Sequence, residues 1–258
     1  LTVGGFYSDQ RSVYFTRQDI RYIAPGLSFQ FLGNDPVNAD SKAVFGTVIA
    51  RPMEGLTLTG GLRYTKESKD YTFVRKNFDG VTRSIFLGAL DGVKAVYAGD
   101  KVDWRMSADY RFSPEFLFYA QVSTGYRAGG VNPRPFVSDQ ALAFNPETLT
   151  TYEVGFKADL LDRVIRVNGA AFFNKYNDIT LGKLVCPESS LPSPCLRPAN
   201  IGSADVKGFE LEAWVGIFAP AGTPADVIAK LSSSIKQAME QPETKKRADA
   251  AGVEIRYL

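Results

Sequence analysis

Histidine is absent from this 258-residue chain. Its absence removes the commonest general base and the commonest transition-metal ligand. Cysteine is nearly absent. Cys186 and Cys195 are the only two, too few to form a zinc site by themselves. Neither charge dominates: 30 basic residues face 28 acidic ones, for a net charge of +2. Nothing in that balance argues for nucleic acid as a partner. No run of about 18 apolar residues occurs, which excludes a spanning helix but not a β-barrel, whose strands are apolar only at alternate positions. The chain opens at Leu1 with neither a charged leader nor an apolar signal core, as expected of a fragment or a mature piece.

Aromatic residues make up 12% of the chain, and they concentrate before Trp214. There the hydrophobic period is two. In "VDWRMSADYRF", Val102, Trp104, Met106, Ala108, Tyr110 and Phe112 alternate with Asp103, Arg105, Ser107, Asp109 and Arg111. That spacing predicts a strand with one apolar and one charged face. The pattern recurs in "LTLTGGLRYT", "FLFYAQVSTGYR", "TYEVGFKADL", "RVIRVNGAAFFNKYND" and "ADVKGFELEA". "LTVGGFYS" and "SKAVFGTVIARP" are weaker cases.

Connections alternate in length. Short turns fall at 51–55, 113–115 and 161–163. Long polar loops are expected at 9–41, 75–101, 129–148 and 180–203. Two unequal rims of this kind suit an up-and-down antiparallel sheet, and outer-membrane barrels carry short periplasmic turns and long outer loops. A soluble sandwich would instead bury the apolar face on a second sheet. Strand length favours lipid, since a tilted crossing needs about 9–11 residues. So does the crowding of Tyr110, Phe112, Phe116 and Phe118 at the short-turn end, as in an interfacial girdle.

Residues 1–213 resemble the β-barrel of TonB-dependent outer-membrane receptors. The stretches that carry the likeness are "LTVGGFYSDQ", "LTGGLRYTKESKDY", "FLFYAQVSTGYRAGGVNPRPF", "FNPETLTTYEVGFKADLLDRVIRVNGAAFFNKYNDI" and "RPANIGSADVKGFELEA", in the family's order. The resemblance implies a bacterial outer-membrane location, lipid contact and uptake of ferric siderophores or similar bulky nutrients, driven by the TonB complex. The family builds about 22 strands around a plug, whereas about eight or nine strands are countable here. Without plug and TonB-contacting box, the chain as written is expected not to transport.

From Trp214 the grammar changes. "WVGIFAPAGTPADVIAKLSSSIKQAMEQPETKKRADAAGVEI" resembles the C-terminal part of periplasmic solute-binding proteins of the tripartite tricarboxylate transporter family. Thr223 is the expected N-cap, Pro224 the first helical residue and Asp226 the third. Val227, Leu231, Ile235 and Ala238/Met239 follow at helical spacing. Pro242 separates this helix from a second, which Gly252 would end, and "VEI" beyond it suits a short strand. Glu212, Ala213 and Trp214 mark the seam between domains 1–213 and 214–258, and no Ser/Gly-rich linker separates them.

Several constellations remain. Cys186 and Cys195 flank a short span of a long loop. In the oxidising compartment that the resemblance implies, a disulfide there would contribute about 2–3 kcal/mol; two free thiols are the alternative. Asp103, Arg105, Asp109, Arg111, Glu153, Lys157 and Asp159 mix both signs along strands. This suits a solvated lumen wall of compensating charges better than an acid–base site. "STGYRAGGVNPRPF" lacks the spacing of a phosphate loop. It reads as a strand entering an outer loop, where Arg127 and Arg134 are the candidate ligand contacts. Lys245, Lys246 and Arg247 read as a solvated helix face.

The expected fold is therefore mainly β: a partial, incompletely closed antiparallel barrel of eight or nine strands with a small α-helical appendage. No cofactor, metal, nucleic-acid partner or enzymatic activity is expected. Two other readings stand beside it. A complete eight-stranded barrel, acting as an adhesin or structural protein, requires the first strand to pair with the last. A soluble carboxylate-binding protein requires an α/β core around the tail.

Overall fold

The computed structural model describes residues 1–24, 27–162, 164–184, 196–215, 219–220 and 222–250. Three long strands open the chain: β1 (Thr2–Ala24), β2 (Leu27–Met53) and β3 (Leu56–Thr72). The two-residue β4 (Arg75–Lys76) precedes β5 (Lys94–Ser113) and β6 (Phe116–Arg127). Short β7 (Gly130–Val131) and β8 (Ala143–Phe144) are followed by β9 (Glu147–Leu160), β10 (Ile165–Lys183) and β11 (Arg197–Val215). Helices α1 (Ala225–Glu240) and α2 (Pro242–Ala250) complete the described chain.

The long strands form one up-and-down wall in the order β1-β2-β3-β5-β6-β9-β10-β11. All its pairings are antiparallel, and β4 adds to β2 while β7 pairs with β8. This is a half-barrel. Among the described residues β1 and β11 are each paired on one side only, so the closure required by a small complete barrel is not formed. Nor do the described elements contain the parallel βαβ units of an α/β core.

Period two survives the pairing. Leu58 lies opposite Ala108, Ala108 opposite Ala120, and Ala120 opposite Val154. One face therefore collects Val48, Leu62, Met106, Phe118, Val154 and Leu211, all solvent-exposed in the isolated chain. The other face collects the polar partners. Tight turns join the strands at one rim. Gly55 turns with φ +77°, and Leu161 and Asp162 both adopt positive φ, the conformation that two-residue hairpins favour. Tyr110, Phe112, Phe116 and Phe156 form a chain of rings at this rim, with centroids 4.6, 5.8 and 6.1 Å apart in that order.

The opposite rim corrects the expected loops. Residues 9–41 are mostly strand: β1 has 23 residues and β2 has 27. At about 3.3 Å per residue these strands far exceed a membrane crossing of about 9–11 residues. Likewise β5 begins at Lys94, β10 runs to Lys183 and β11 starts at Arg197. Backbone ladders continue into charged, glycine-bearing sequence because pairing, not apolar alternation, holds these extensions.

The tail also departs from expectation. Pro224, not Thr223, is the N-cap of α1, and no side chain caps it. The Thr223 hydroxyl instead donates to the Pro220 carbonyl at 2.8 Å. β11 runs through Glu212, Ala213 and Trp214 to Val215, with Val167 opposite Ala213 and Arg166 opposite Trp214. The ladder is thus continuous at the expected seam. Gly252, "VEI", Cys186 and Cys195 lie outside the described residues.

Directly opposed glycine–aromatic pairs recur along the wall: Gly4–Phe45, Gly155–Tyr119, Gly169–Phe156 and Gly208–Phe172. Each ring covers the neighbouring glycine. At Gly155 an added Cβ would lie 2.6 Å from both the Gly169 carbonyl oxygen and the Tyr119 ring. Backbone cannot yield as a side chain can, so Gly155→Ala is expected to cost about 1–3 kcal/mol. Gly125→Ala, where nothing stands within 4 Å, should unfold at nearly the parental urea concentration. Equal midpoints for the two variants would refute this account.

Candidate functional site

The seven strand charges singled out by their spacing share the polar face. Asp103 lies opposite Arg63, Asp109 opposite Thr57, and Arg105 opposite Gly61 and Ser123. Arg111 and Lys157 both face Leu117 from flanking strands. Specific bonds hold some of them. Glu153 accepts from the Tyr119 hydroxyl at 2.8 Å and from the Gln121 amide at 2.9 Å. Asp159 receives a bidentate Arg166 guanidinium at 2.6 and 2.9 Å. Arg111 donates to the Pro114 carbonyl at 3.1 Å. Of these bonds, that between Arg166 and Asp159 pairs opposite charges, while Glu153 and Arg111 are held by neutral partners.

The long-strand rim holds what sequence reasoning missed. Phe31, Tyr71, Phe73, Leu87, Leu90, Ala95, Tyr97, Val131 and Ala141 form a buried cluster. By strand parity Phe31, Tyr71 and Tyr97 lie on the polar face, because the pairings below them run unbroken. The loops 73–93 and 128–146 therefore fold inward across that face as a cap. Phe136 reaches Phe29 on β2, with ring centroids 6.2 Å apart. Aromatic content in segments read as polar loops was the signal that could have revealed this core.

An ion pair stands at its centre. Arg75 and Asp35 are 3% and 1% exposed and joined by a very short hydrogen bond. Asp35 also accepts the Val74 amide at 2.8 Å. The Arg75 guanidinium lies 5.4 Å from the Phe31 ring centroid and 5.2 Å from that of Phe73. A second carboxylate, Asp91, accepts the Arg75 amide at 3.0 Å and the Lys76 ammonium at 2.8 Å. Burial opposes ionisation of Asp91, but Lys76, the Arg75 N–H and Arg83 outweigh it and hold the carboxyl below the usual range. Burial and the nearby Asp35 carboxylate push the Tyr71 phenol well above its ordinary value.

The second loop is fastened by amides. Asn132 and Gln140 are 1% and 2% exposed. Asn132 donates to the Gln140 carbonyl at 3.0 Å and accepts the Arg134 amide at 3.1 Å. Gln140 accepts the Phe136 amide at 2.9 Å. Lys69 ties the loop to β3 through the Gly129 carbonyl at 2.7 Å. Gly129 is obligatory there, because a Cβ would sit 2.4 Å from both the Phe144 carbonyl oxygen and the Tyr97 ring.

The two arginines proposed from sequence stand apart on this rim. Arg127 ends β6 and meets Glu147 at 3.5 Å, its side chain mostly exposed. Arg134 reaches β1, where its hydrogen bond to Tyr14 holds that phenol below the ordinary value. The structure thus carries one loop from β6 across to β1, bringing Arg134 beside Tyr14 and away from Arg127.

A half-barrel with unequal rims, one apolar face and inward-folded loops has counterparts. The family described as TonB dependent receptor-like, beta-barrel matches residues 1–234. The chain belongs to this family. The match passes beyond Ala213 into α1. The pesticin receptor of Yersinia pestis is 24% identical over 175 residues, 68% of this chain and 23% of that protein. The crystal structure of the ferric yersiniabactin uptake receptor FyuA from Yersinia pestis superposes with a TM-score of 0.63 at 19% identity. That superposition covers 82% of this chain and 29% of FyuA. The chain therefore spans about a quarter of the relatives it matches. A shorter likeness, 34% identity over 56 residues, is to the UPF0065 protein in the tcbD-tcbE intergenic region of Pseudomonas sp. strain P51. It covers 22% of this chain and 17% of that protein.

Removing one member of the buried pair should release the cap. Arg75→Met leaves Asp35 buried and uncompensated, and is expected to destabilise the cap by about 3–5 kcal/mol. Asp35→Asn combined with Arg75→Met should recover most of that loss, since the amide oxygen still receives the Val74 N–H. Hydrogen exchange of residues 73–93 reads both, and equal protection in the single and double variants would refute the argument. Acid acts through Asp91. Its folded-state value is depressed, so its contribution is complete above the unfolded carboxylate value of about 3.9 and disappears as pH falls through the folded one. Resistance of the cap to urea should be level from neutral pH to about 5 and decline below about 4.

Proposed function

We propose that this chain is part of the wall of an outer-membrane receptor that takes up ferric siderophores or similarly bulky nutrients. The observation that carries the reading is the division of the wall into an exposed apolar face and a polar face roofed by loops. In this reading the apolar face contacts lipid, and Asp103, Arg105, Asp109, Arg111, Glu153, Lys157 and Asp159 line a wet lumen. Alternation of this sort is what a membrane β-barrel needs, because lipid offers its backbone and polar groups no partners. The aromatic chain from Tyr110 to Phe156 sits at the short-turn rim, where an interfacial girdle belongs.

The relatives support the ligand class. FyuA is a ferric yersiniabactin uptake receptor, and the family is named for its dependence on TonB. Energy coupling through TonB is assigned to the whole receptor, with this segment supplying wall and outer loops. Arg127 and Arg134 are the proposed ligand contacts, being exposed cations on the rim that a ferric chelate would meet first. The segment after Ala213 is read as a separate, binding-protein-like tail of periplasmic character, and the short likeness to the UPF0065 protein supports that.

Two measurements test the reading. The purified chain should require detergent to stay in solution, since its apolar face is otherwise exposed to water. A monodisperse, detergent-free monomer would overturn lipid contact. In a receptor carrying this wall, Arg127→Ala or Arg134→Ala should weaken ferric-siderophore binding about tenfold, the loss expected for one charge-assisted hydrogen bond. Unchanged affinity in both variants would remove these residues from the ligand site.

A further inference from the structure

Helix α1 carries an apolar face that is exposed in its first half and only partly covered, at Ile235 and Met239, in its second. At about 100° per residue, Val227, Ile228, Leu231, Ile235, Ala238 and Met239 fall within an arc of about 120°. None of the residues of α1 is buried, and Val227, Ile228 and Leu231 are 41%, 45% and 51% exposed. Ser232 and Ser234 border that arc at about 20° from its edges, and Lys230 and Lys236 stand about 60° beyond them. Ser233, Gln237, Asp226 and Glu240 fill the opposite side.

The position of the helix in the chain narrows what can cover it. β11 descends to the short-turn rim, where Val215 pairs with Ile165 beside the β9–β10 turn. On the way its apolar face presents Phe209 and Leu211, 85% and 69% exposed. The described part of β11 ends at that rim, at Val215. Residues 216–224 then lead to Ala225, a connection that reaches about 30 Å when fully extended. The apolar arc therefore begins within about 30 Å of the short-turn rim.

We propose that α1 lies in the plane of the bilayer interface at this rim. Its apolar arc enters the acyl boundary by about 5–10 Å, and Lys230 extends its stem along the lipid to reach headgroup phosphates. Lys245 and Lys246 on α2 add to the attraction for anionic lipid, whereas Arg247 is held by Glu243 at 3.1 Å. The inference rests on the reading of the wall as membrane-embedded.

Tryptophan emission separates the two claims. In the full chain, Trp214→Phe leaves Trp104, on the apolar face of β5, as the reporter of the wall. W104F/W214F/L231W reports the apolar arc of α1, and W104F/W214F/S233W its polar side. Each is placed in phosphatidylcholine–phosphatidylglycerol vesicles whose lipids carry bromine near the headgroup. Position 231 is expected to lose about half its emission, as an interfacial residue would, with position 233 unaffected and Trp104 quenched. Quenching of Trp104 without quenching at 231 would overturn the inference and keep the wall. Shielding of position 231 from both bromine and aqueous iodide would assign the arc to a protein cover and overturn it as well. An unquenched Trp104 would remove the membrane-embedded wall, and this inference with it.

Discussion

Register is the constraint on which the rest of this structure depends. A strand has a period of two, so a slip of one residue would exchange its faces. From Val3 opposite Gly46 to Val167 opposite Ala213, the middle of the wall is paired without a slip. The irregularities fall near strand ends, as at Ala50/Met53 and Arg111/Ser113, or in the upper part of β10, at Tyr176/Ile179. Two chemically opposite faces therefore persist across eight strands. The cross-strand glycine–aromatic pairs reinforce that register, because each ring fits only over a residue without a side chain.

The same constraint places the cap. Because parity is kept along the extended β2, β3 and β5, Phe31, Asp35, Tyr71 and Tyr97 emerge on the polar face well beyond the apolar band. They offer the loops an apolar surface to fold against. The Arg75–Asp35 pair is then buried by Phe31 and Phe73, and its two charges compensate one another, while among the described residues Asp35 Oδ2 and Arg75 Nε stay buried without hydrogen-bond partners. A buried pair is weak grounds for net stability, but it is selective: only a loop that brings Arg75 to Asp35 compensates both charges. The consequence for function is a rim that is already organised, with Arg127 and Arg134 exposed at separate points on it.

Much of the wall was legible in the sequence. The alternation in "VDWRMSADYRF" predicted β5 and both its faces, and the short turns expected at 51–55, 113–115 and 161–163 narrow in the structure to Glu54–Gly55, Pro114–Glu115 and, among the described residues, Leu161–Asp162. The upper halves of β1 and β2 were not legible. Residues 9–41 contain mixed charge, glycine and proline, which read locally as loop, and only pairing with a neighbouring strand makes them extended. The cap was equally hidden. Asp35 and Arg75 lie forty residues apart in segments with no shared motif, both inside stretches expected to be long polar loops.

By itself, the sequence determined the class of the structure: an antiparallel wall with one apolar face, tight turns at one rim and a helical tail. Those features follow from local period and turn chemistry, which need no knowledge of distant residues. Only the tertiary structure decided how far the strands extend, that the loops fold inward, and that among the described residues β1 and β11 are each paired on one side only. It also carried the backbone ladder through Ala213 and Trp214 to Val215. Each of these depends on hydrogen bonds and packing between segments far apart in the chain, and their energies appear only when the partners are brought together.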